Sequence, residues 1–156
     1  MPGLAETVMT RWDRAKGTAM GRWLFSRAVG RYAPYTGSIG ARVEAIEPGS
    51  SRVCLRDRKA VRNHLRSIHA VALTNLLELT GSLAVIAALP SGARMIPLRI
   101  EIEFVKKARG TVAAESKCEI PSSAEHGELP SAVTIRDGDG DEVARGRVVV
   151  MVGPES

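Results

Sequence analysis

Three polar residues, Asn63, His69 and Glu78, stand where acyl chemistry could use them. His69 precedes and Glu78 interrupts the most apolar stretch of the chain, Leu73 to Leu89. A helix starting beside His69 leaves four backbone N–H groups without partners, with the positive end of the dipole behind them. The amides of Ala70 and Val71 lie at that end and could hold a developing oxyanion, the main demand of acyl transfer. Glu78 is a carboxylate in an apolar segment, and burying it unpaired costs on the order of several kcal/mol. It therefore needs either a partner, such as Arg66 or Arg99, or a purpose as a general base. Asn63 could orient a reactant or cap a turn, and His69 could act or simply start the helix. His64 fits an exposed loop position.

Spacing restricts how these groups can cooperate. Nine helical residues span about 13.5 Å and end about half a turn round from where they began. His69 and Glu78 of one chain therefore point to opposite sides and cannot share one carbonyl. If both act on one substrate, Glu78 must come from a second subunit whose helix runs antiparallel, and two-fold symmetry then makes two identical sites.

The elements that must position these residues are legible in the apolar patterning. From His69 to Leu89 apolar residues lie on nearly every side, which describes a helix buried almost all round; Ser67 is the expected N-cap and Pro90-Ser91-Gly92 the stop. Before it, residues 39–45 and 53–55 alternate around the Glu47–Ser50 turn as a hairpin, and Asp57 to Ile68 is polar and irregular. After it, Ile96, Leu98, Ile100, Ile102 and Phe104 alternate with Pro97, Arg99, Glu101 and Glu103, the clearest period-two signal in the chain, with one wet face. Val112 to Ile120 is the next strand, and Pro121 to Pro130 a flexible connection. Ala132 to Arg136 and Val143 to Val152 then flank the turn Asp137-Gly138-Asp139-Gly140-Asp141. Residues 4–32 read as an N-terminal helix ended by Pro34, with Gly17 a point of weakness. Its stripe of Leu4, Val8, Trp12, Ala15, Ala19, Trp23 and Ala28 serves packing rather than a membrane. A lone helix apolar on most faces needs a sheet wrapped around it. The expected architecture is an α+β chain with about six curved antiparallel strands around one long central helix. Residues 1–35 would form a helical extension and 36–153 the main domain.

Here the motif becomes specific. Asn63, five residues, His69, eight residues and then the carboxylate Glu78 resembles the hotdog-fold thioesterases of the phenylacetate-degradation type. All three fall on that family's Asn, His and acidic positions, and the closing Asp/Gly hairpin before Val143-Ala144 is similar too. The resemblance runs from about Ser38 to Val152. It is nearest to uncharacterised members that carry Glu as the helix acid and lack paired glycines after the histidine. It implies hydrolysis of an acyl-CoA at a site shared by two subunits, in a dimer or a dimer of dimers. Glu78 would be nucleophile or general base, Asn63 would orient water or the thioester, and His69 would shape the helix start. The amide of Val71, with that of Ala70, would form the oxyanion hole, and Lys106 and Lys107 could meet CoA phosphates. Many relatives have His-Gly-Gly where this chain has His69-Ala70-Val71. The β-branched Val71 narrows the approach, so the alternative is a protein that binds acyl-CoA or fatty acid without hydrolysing it.

Composition narrows the remaining classes. With 156 residues, 44% hydrophobic and 25% charged, the chain is sized for one soluble domain. Its net charge of +5 favours anionic partners. The basic residues are scattered, without an aromatic stacking platform, and nucleic acid is not expected. Two cysteines, Cys54 and Cys118, far apart, give neither a disulfide framework nor metal-ligand spacing. The alternating Asp137, Asp139 and Asp141 lack the Gly and the Glu a calcium loop requires, so no metal is expected. There is no cofactor motif beyond CoA as part of a substrate, and no Gly-x-Ser-x-Gly. Without an N-terminal apolar region or a segment apolar enough to span a bilayer, the expected compartment is the cytoplasm.

Overall fold

A computed structural model describes residues 2–156. Three helices open the chain: α1 (Leu4–Ala15), α2 (Ala19–Tyr32) and the single turn α3 (Pro34–Gly37). Strands β1 (Arg42–Glu47) and β2 (Ser50–Leu55) follow, then a 3-10 turn at Lys59–Val61 and the central helix α4 (Ala70–Ala88). The rest is β3 (Ala93–Phe104), β4 (Val112–Cys118), β5 (Gly127–Arg136) and β6 (Glu142–Pro154). All six strands form one antiparallel sheet in the order β1-β2-β4-β5-β6-β3, curved about α4. This is the expected arrangement.

Helix α4 is buried along most of its length because the sheet supplies apolar contacts on nearly every side. Leu76, Leu77, Ala84 and Val85 have no exposed surface, and they meet Val53, Leu55, Ile135, Val148 and Val150 of the strands. Fully burying each such Leu or Val stabilises the fold by about 1.5–3 kcal/mol. Near its middle the helix approaches the sheet closely. A Cβ on Gly81 would lie 2.8 Å from a Val148 methyl, so only glycine fits there. The hydroxyl of Ser51 donates to the carbonyl of Thr80, and that of Ser131 to the carbonyl of Gly81 at 3.0 Å. Ser116 shares a hydrogen bond with Ser131 beneath them. Length and composition alone would let α4 cross a membrane; here it is the core helix, wrapped by the sheet.

Several local expectations are corrected. The N-terminal helix does break at the weak point expected at Gly17, between Ala15 and Ala19, and Thr18 caps α2 by accepting from the Gly21 amide at 2.9 Å. The break shifts the helical phase. Trp12 is buried, with its indole N–H donating to the Ile46 carbonyl, and packs edge-on against Phe25 at 5.1 Å. Trp23, expected to continue the stripe, stays 42% exposed, and Phe25 takes its place in the core. Strand β5 begins at Gly127, inside the stretch expected to be a flexible connection, and includes Pro130. That proline is tolerated because β4 pairs with β5 only from Ser131 onward, so Pro130 has a neighbour on the β6 side alone. Pro97 likewise sits on the edge strand β3, beside an irregularity between Pro97 and Arg99.

Candidate functional site

The loop leading into α4 is held from three sides. The Ile68 amide donates to the Ala108 carbonyl at 2.8 Å and the His69 amide to the Val61 carbonyl at 2.8 Å, anchoring the helix start. Asp57 accepts from Arg62 at 2.6 Å and from the Gly110 amide at 2.8 Å, clamping this loop to the β3–β4 turn. The Arg62 hydrogen bond in particular holds the Asp57 carboxyl below the usual carboxylate range.

Asn63 is half-buried and organises this loop. Its side-chain oxygen accepts from the Leu65 amide at 2.9 Å and from the amide and hydroxyl of Ser67, each at 3.2 Å. Arg66 completes the turn with φ of 58°. Ser67 thus closes the Asn63 turn, and the N-cap of α4 is His69 instead. With the Asn63 oxygen committed, only its NH2 group is left to face a ligand.

His69 is exposed, and its Nδ1 accepts from the Val71 amide at 3.0 Å. One of the two expected oxyanion donors is therefore occupied by the imidazole next to it. The Ala70 amide has no hydrogen-bond partner among the described residues, and neither has that of Ala72. An acyl oxygen could meet open N–H groups at this helix end, joined by that of Val71 when the imidazole turns aside.

Glu78 is partly exposed and accepts from the Ser82 hydroxyl at 2.7 Å, one helical turn on. It forms no ion pair among the described residues; Arg99, one of its two expected partners, is bound to Glu128 at 3.1 Å, and Arg66 holds no carboxylate among them. Val71, Thr74, Glu78 and Ile86 lie along one stripe of α4 that the sheet leaves partly uncovered. Within one chain, His69 and Glu78 stand nine residues apart on the same helix and are not brought together. Beside that stripe β3 exposes an apolar row: Ile100 is 45% exposed and Phe104 47%, on the last strand of the sheet.

The lysines of the β3–β4 turn divide. Lys106 is tied to Asp137 at 2.9 Å and Asp141 at 2.8 Å, whereas Lys107 has no such partner. Asp137 also accepts from the amides of Asp139 and Asp141, so this turn is satisfied internally. Its carboxyl is held low chiefly by Lys106. No cluster of three metal-ligating side chains occurs among the described residues.

A cleft of about 780 Å³ opens away from these residues, between α2–α3 and the β1–β2 hairpin, and arginines line it. The sequence did not single it out, because its charges come from segments far apart in the chain. Inside it the Cys54 thiol faces Glu44. Burial first, and that carboxylate second, push the thiol up to about 12. Burial opposes the charge on Glu44, but the hydrogen bonds from Cys54 and Arg52 outweigh it and hold the carboxyl below its ordinary range.

A family described as a domain of unknown function, DUF4442, matches residues 21–152. No curated protein matches. A crystal structure of the genomics target APC5556 is similar at 27% identity and a TM-score of 0.82, covering 97% of this chain and 99% of that one. Thioesterase HI1161 from Haemophilus influenzae is similar at 16% identity and a TM-score of 0.67, covering 77% of this chain and 82% of its own. A hypothetical thioesterase from Streptococcus pneumoniae, solved with coenzyme A, is similar at 18% identity and a TM-score of 0.62, covering 74% and 91%. The shared architecture is the hotdog fold.

Proposed function

Since the chain belongs to the DUF4442 family and carries the hotdog fold, we propose that it is a cytoplasmic acyl-CoA thioesterase whose site is shared between two subunits. The reading rests on Glu78, a carboxylate on the open stripe of α4 that, among the described residues, is bound to Ser82 and paired with no cation. A carboxylate with no counter-ion among the described residues fits the part of a general base.

In the proposed reaction Glu78 of one subunit accepts a proton from water as the oxygen adds to the thioester carbonyl carbon. The carbonyl oxygen gains negative charge at the α4 start of the other subunit, where the Ala70 amide is open and the Val71 amide joins it when His69 turns aside. As the tetrahedral intermediate collapses, the C–S bond breaks and the thiolate takes up the proton, giving acid and CoA. Attack by Glu78 itself, through an anhydride that water then opens, uses the same groups. The NH2 of Asn63 orients the thioester, and Lys107 is the lysine left for CoA phosphates. Pairing of two β3 edges would cover Ile100 and Phe104 and bring the two α4 helices side by side. The coenzyme A held by the pneumococcal neighbour supports the substrate class.

A second reading, binding of acyl-CoA or fatty acid without turnover, is favoured by one observation: the Val71 amide is occupied by His69. Thiol release over acyl-CoAs of graded chain length, with Glu78→Gln as control, separates the two. Turnover that Glu78→Gln abolishes establishes the enzyme, and saturable binding without turnover in both proteins establishes the module. Sizing in solution is the cheaper test, since a monomer would sink the shared site.

A further inference from the structure

We propose that the arginine-lined cleft between α2–α3 and the β1–β2 hairpin is a binding site for a phosphate-bearing ligand, separate from the Glu78 site. Five arginines are among the residues that line it, Arg27, Arg31, Arg42, Arg56 and Arg58, with Glu44 the one acidic residue of the lining. That carboxylate is already paired to Arg52 at 2.9 Å. Arg58 donates to the Ile39 carbonyl at 2.8 Å. The other four form no ion pair and no hydrogen bond among the described residues. Like charges gathered round one hollow repel each other, and an anion in that hollow removes the cost. A phosphate suits them best, because a guanidinium offers paired donors that match two phosphate oxygens at once.

The walls are built and not merely charged. At the turn between α2 and α3 the backbones of Gly30 and Gly37 touch. A Cβ on Gly37 would lie 2.6 Å from the Gly30 Cα and one on Gly30 would lie 3.0 Å from the Gly37 Cα, so any larger residue would push the wall apart. On the other side the Ser26 hydroxyl accepts from the Val43 amide at 2.9 Å, fixing α2 to β1. The floor is apolar, made by buried Val43 and Leu79. At the rim the Arg27 guanidinium lies over the Trp23 ring at 5.2 Å, so the indole is held next to the charges. Leu79 follows Glu78 in sequence but faces about 100° round the helix from it, so cleft and carboxylate open on different sides. Charged walls over an apolar floor, in a volume within the usual range for small-molecule sites, describe a ligand with a phosphate or diphosphate group and a less polar body. Such a group can come from a free small molecule or from a phospholipid headgroup.

Isothermal calorimetry on the full chain, with sodium pyrophosphate at constant ionic strength, tests this. Saturable binding is expected, weakened about tenfold or more for each guanidinium removed in Arg42→Gln and Arg56→Gln, and unchanged in Arg147→Gln on the far side of the sheet. Shifts of backbone amide resonances should gather on residues 26–44 and 54–58 and leave 69–71 unmoved. Co-sedimentation with phosphatidylglycerol vesicles, set against phosphatidylcholine, identifies the source. Capture by the anionic vesicles that Arg42→Gln abolishes assigns a lipid headgroup, and pyrophosphate binding alone assigns a soluble ligand. Failure to bind either probe saturably, or affinity that survives both substitutions, overturns the proposal. Neither outcome depends on thiol release, so the Glu78 reading stands or falls by its own assay.

Discussion

On the outer face of β3, β5 and β6, arginines and carboxylates pair across the strands. Arg147 holds Glu101, Arg145 holds Glu103 and Glu142, and Arg99 holds Glu128. At the β1–β2 end of the same sheet, Arg42 and Arg56 line a cleft whose one acidic residue, Glu44, is bound by Arg52. Glu78 is the acidic counterpart of those arginines, a charge on α4 with a hydroxyl for company and no cation. Charges neutralised within the chain dress a wet surface. Those left over are the ones on which the two proposals rest.

The contrast can be broken at several points. Glu78→Gln keeps the shape and the Ser82 contact but removes the base; thiol release should fall by about a hundredfold to ten-thousandfold with the melting temperature little changed. Next comes Cys54, the thiol paired with Glu44. Its alkylation by iodoacetamide at pH 8 should run roughly a thousandfold slower than that of a free cysteine, because a thiol pushed up to about 12 offers almost no thiolate there. A folded-state value raised above 9.0 means that Cys54 contributes stability fully below about pH 9 and loses it as pH climbs toward 12. The gap in melting temperature between wild type and Cys54→Ala should shrink over that window.

Arg42→Gln and Arg56→Gln should each cost about tenfold in pyrophosphate affinity while stability moves by no more than about 0.5 kcal/mol. The smallest effect belongs to the paired face: Arg147→Gln, which breaks an exposed ion pair, should lower stability by less than about 1 kcal/mol in a denaturant titration and leave both activities alone. A large loss of stability in the cleft variants, or a large loss of binding in Arg147→Gln, would erase the distinction.

What the sequence carried was whatever depends on neighbours along the chain. Alternation across Ile96 to Phe104 foretold β3, and the all-round apolar character of residues 69–89 foretold a helix that a sheet must enclose. Asn63, His69 and Glu78 could be singled out as candidates, because their spacing lies within one loop and one helix. What stayed hidden depends on contacts between distant segments or on one side chain's choice of partner. The cap at Thr18 reset the helical phase and exchanged Trp23 for Phe25 in the core. Pro130 looked like a strand breaker until its neighbours were known. The imidazole of His69 turning back onto the Val71 amide is a rotamer choice with no signature in residue order. Nor could five arginines from α2, β1 and the segment after β2 be seen to converge without the fold.

The serine bonds beneath α4 decide how the protein can move. Ser51 from β2 and Ser131 from β5 grip consecutive carbonyls near the helix midpoint, while Val148 leaves room only for a glycine. A helix pinned at its waist from two strands cannot slide along its axis, so motion at its entrance falls to the 63–69 loop and the His69 ring. The backbone amides around residue 84 should accordingly be among the last to exchange with deuterated solvent, and those at the helix entrance among the first.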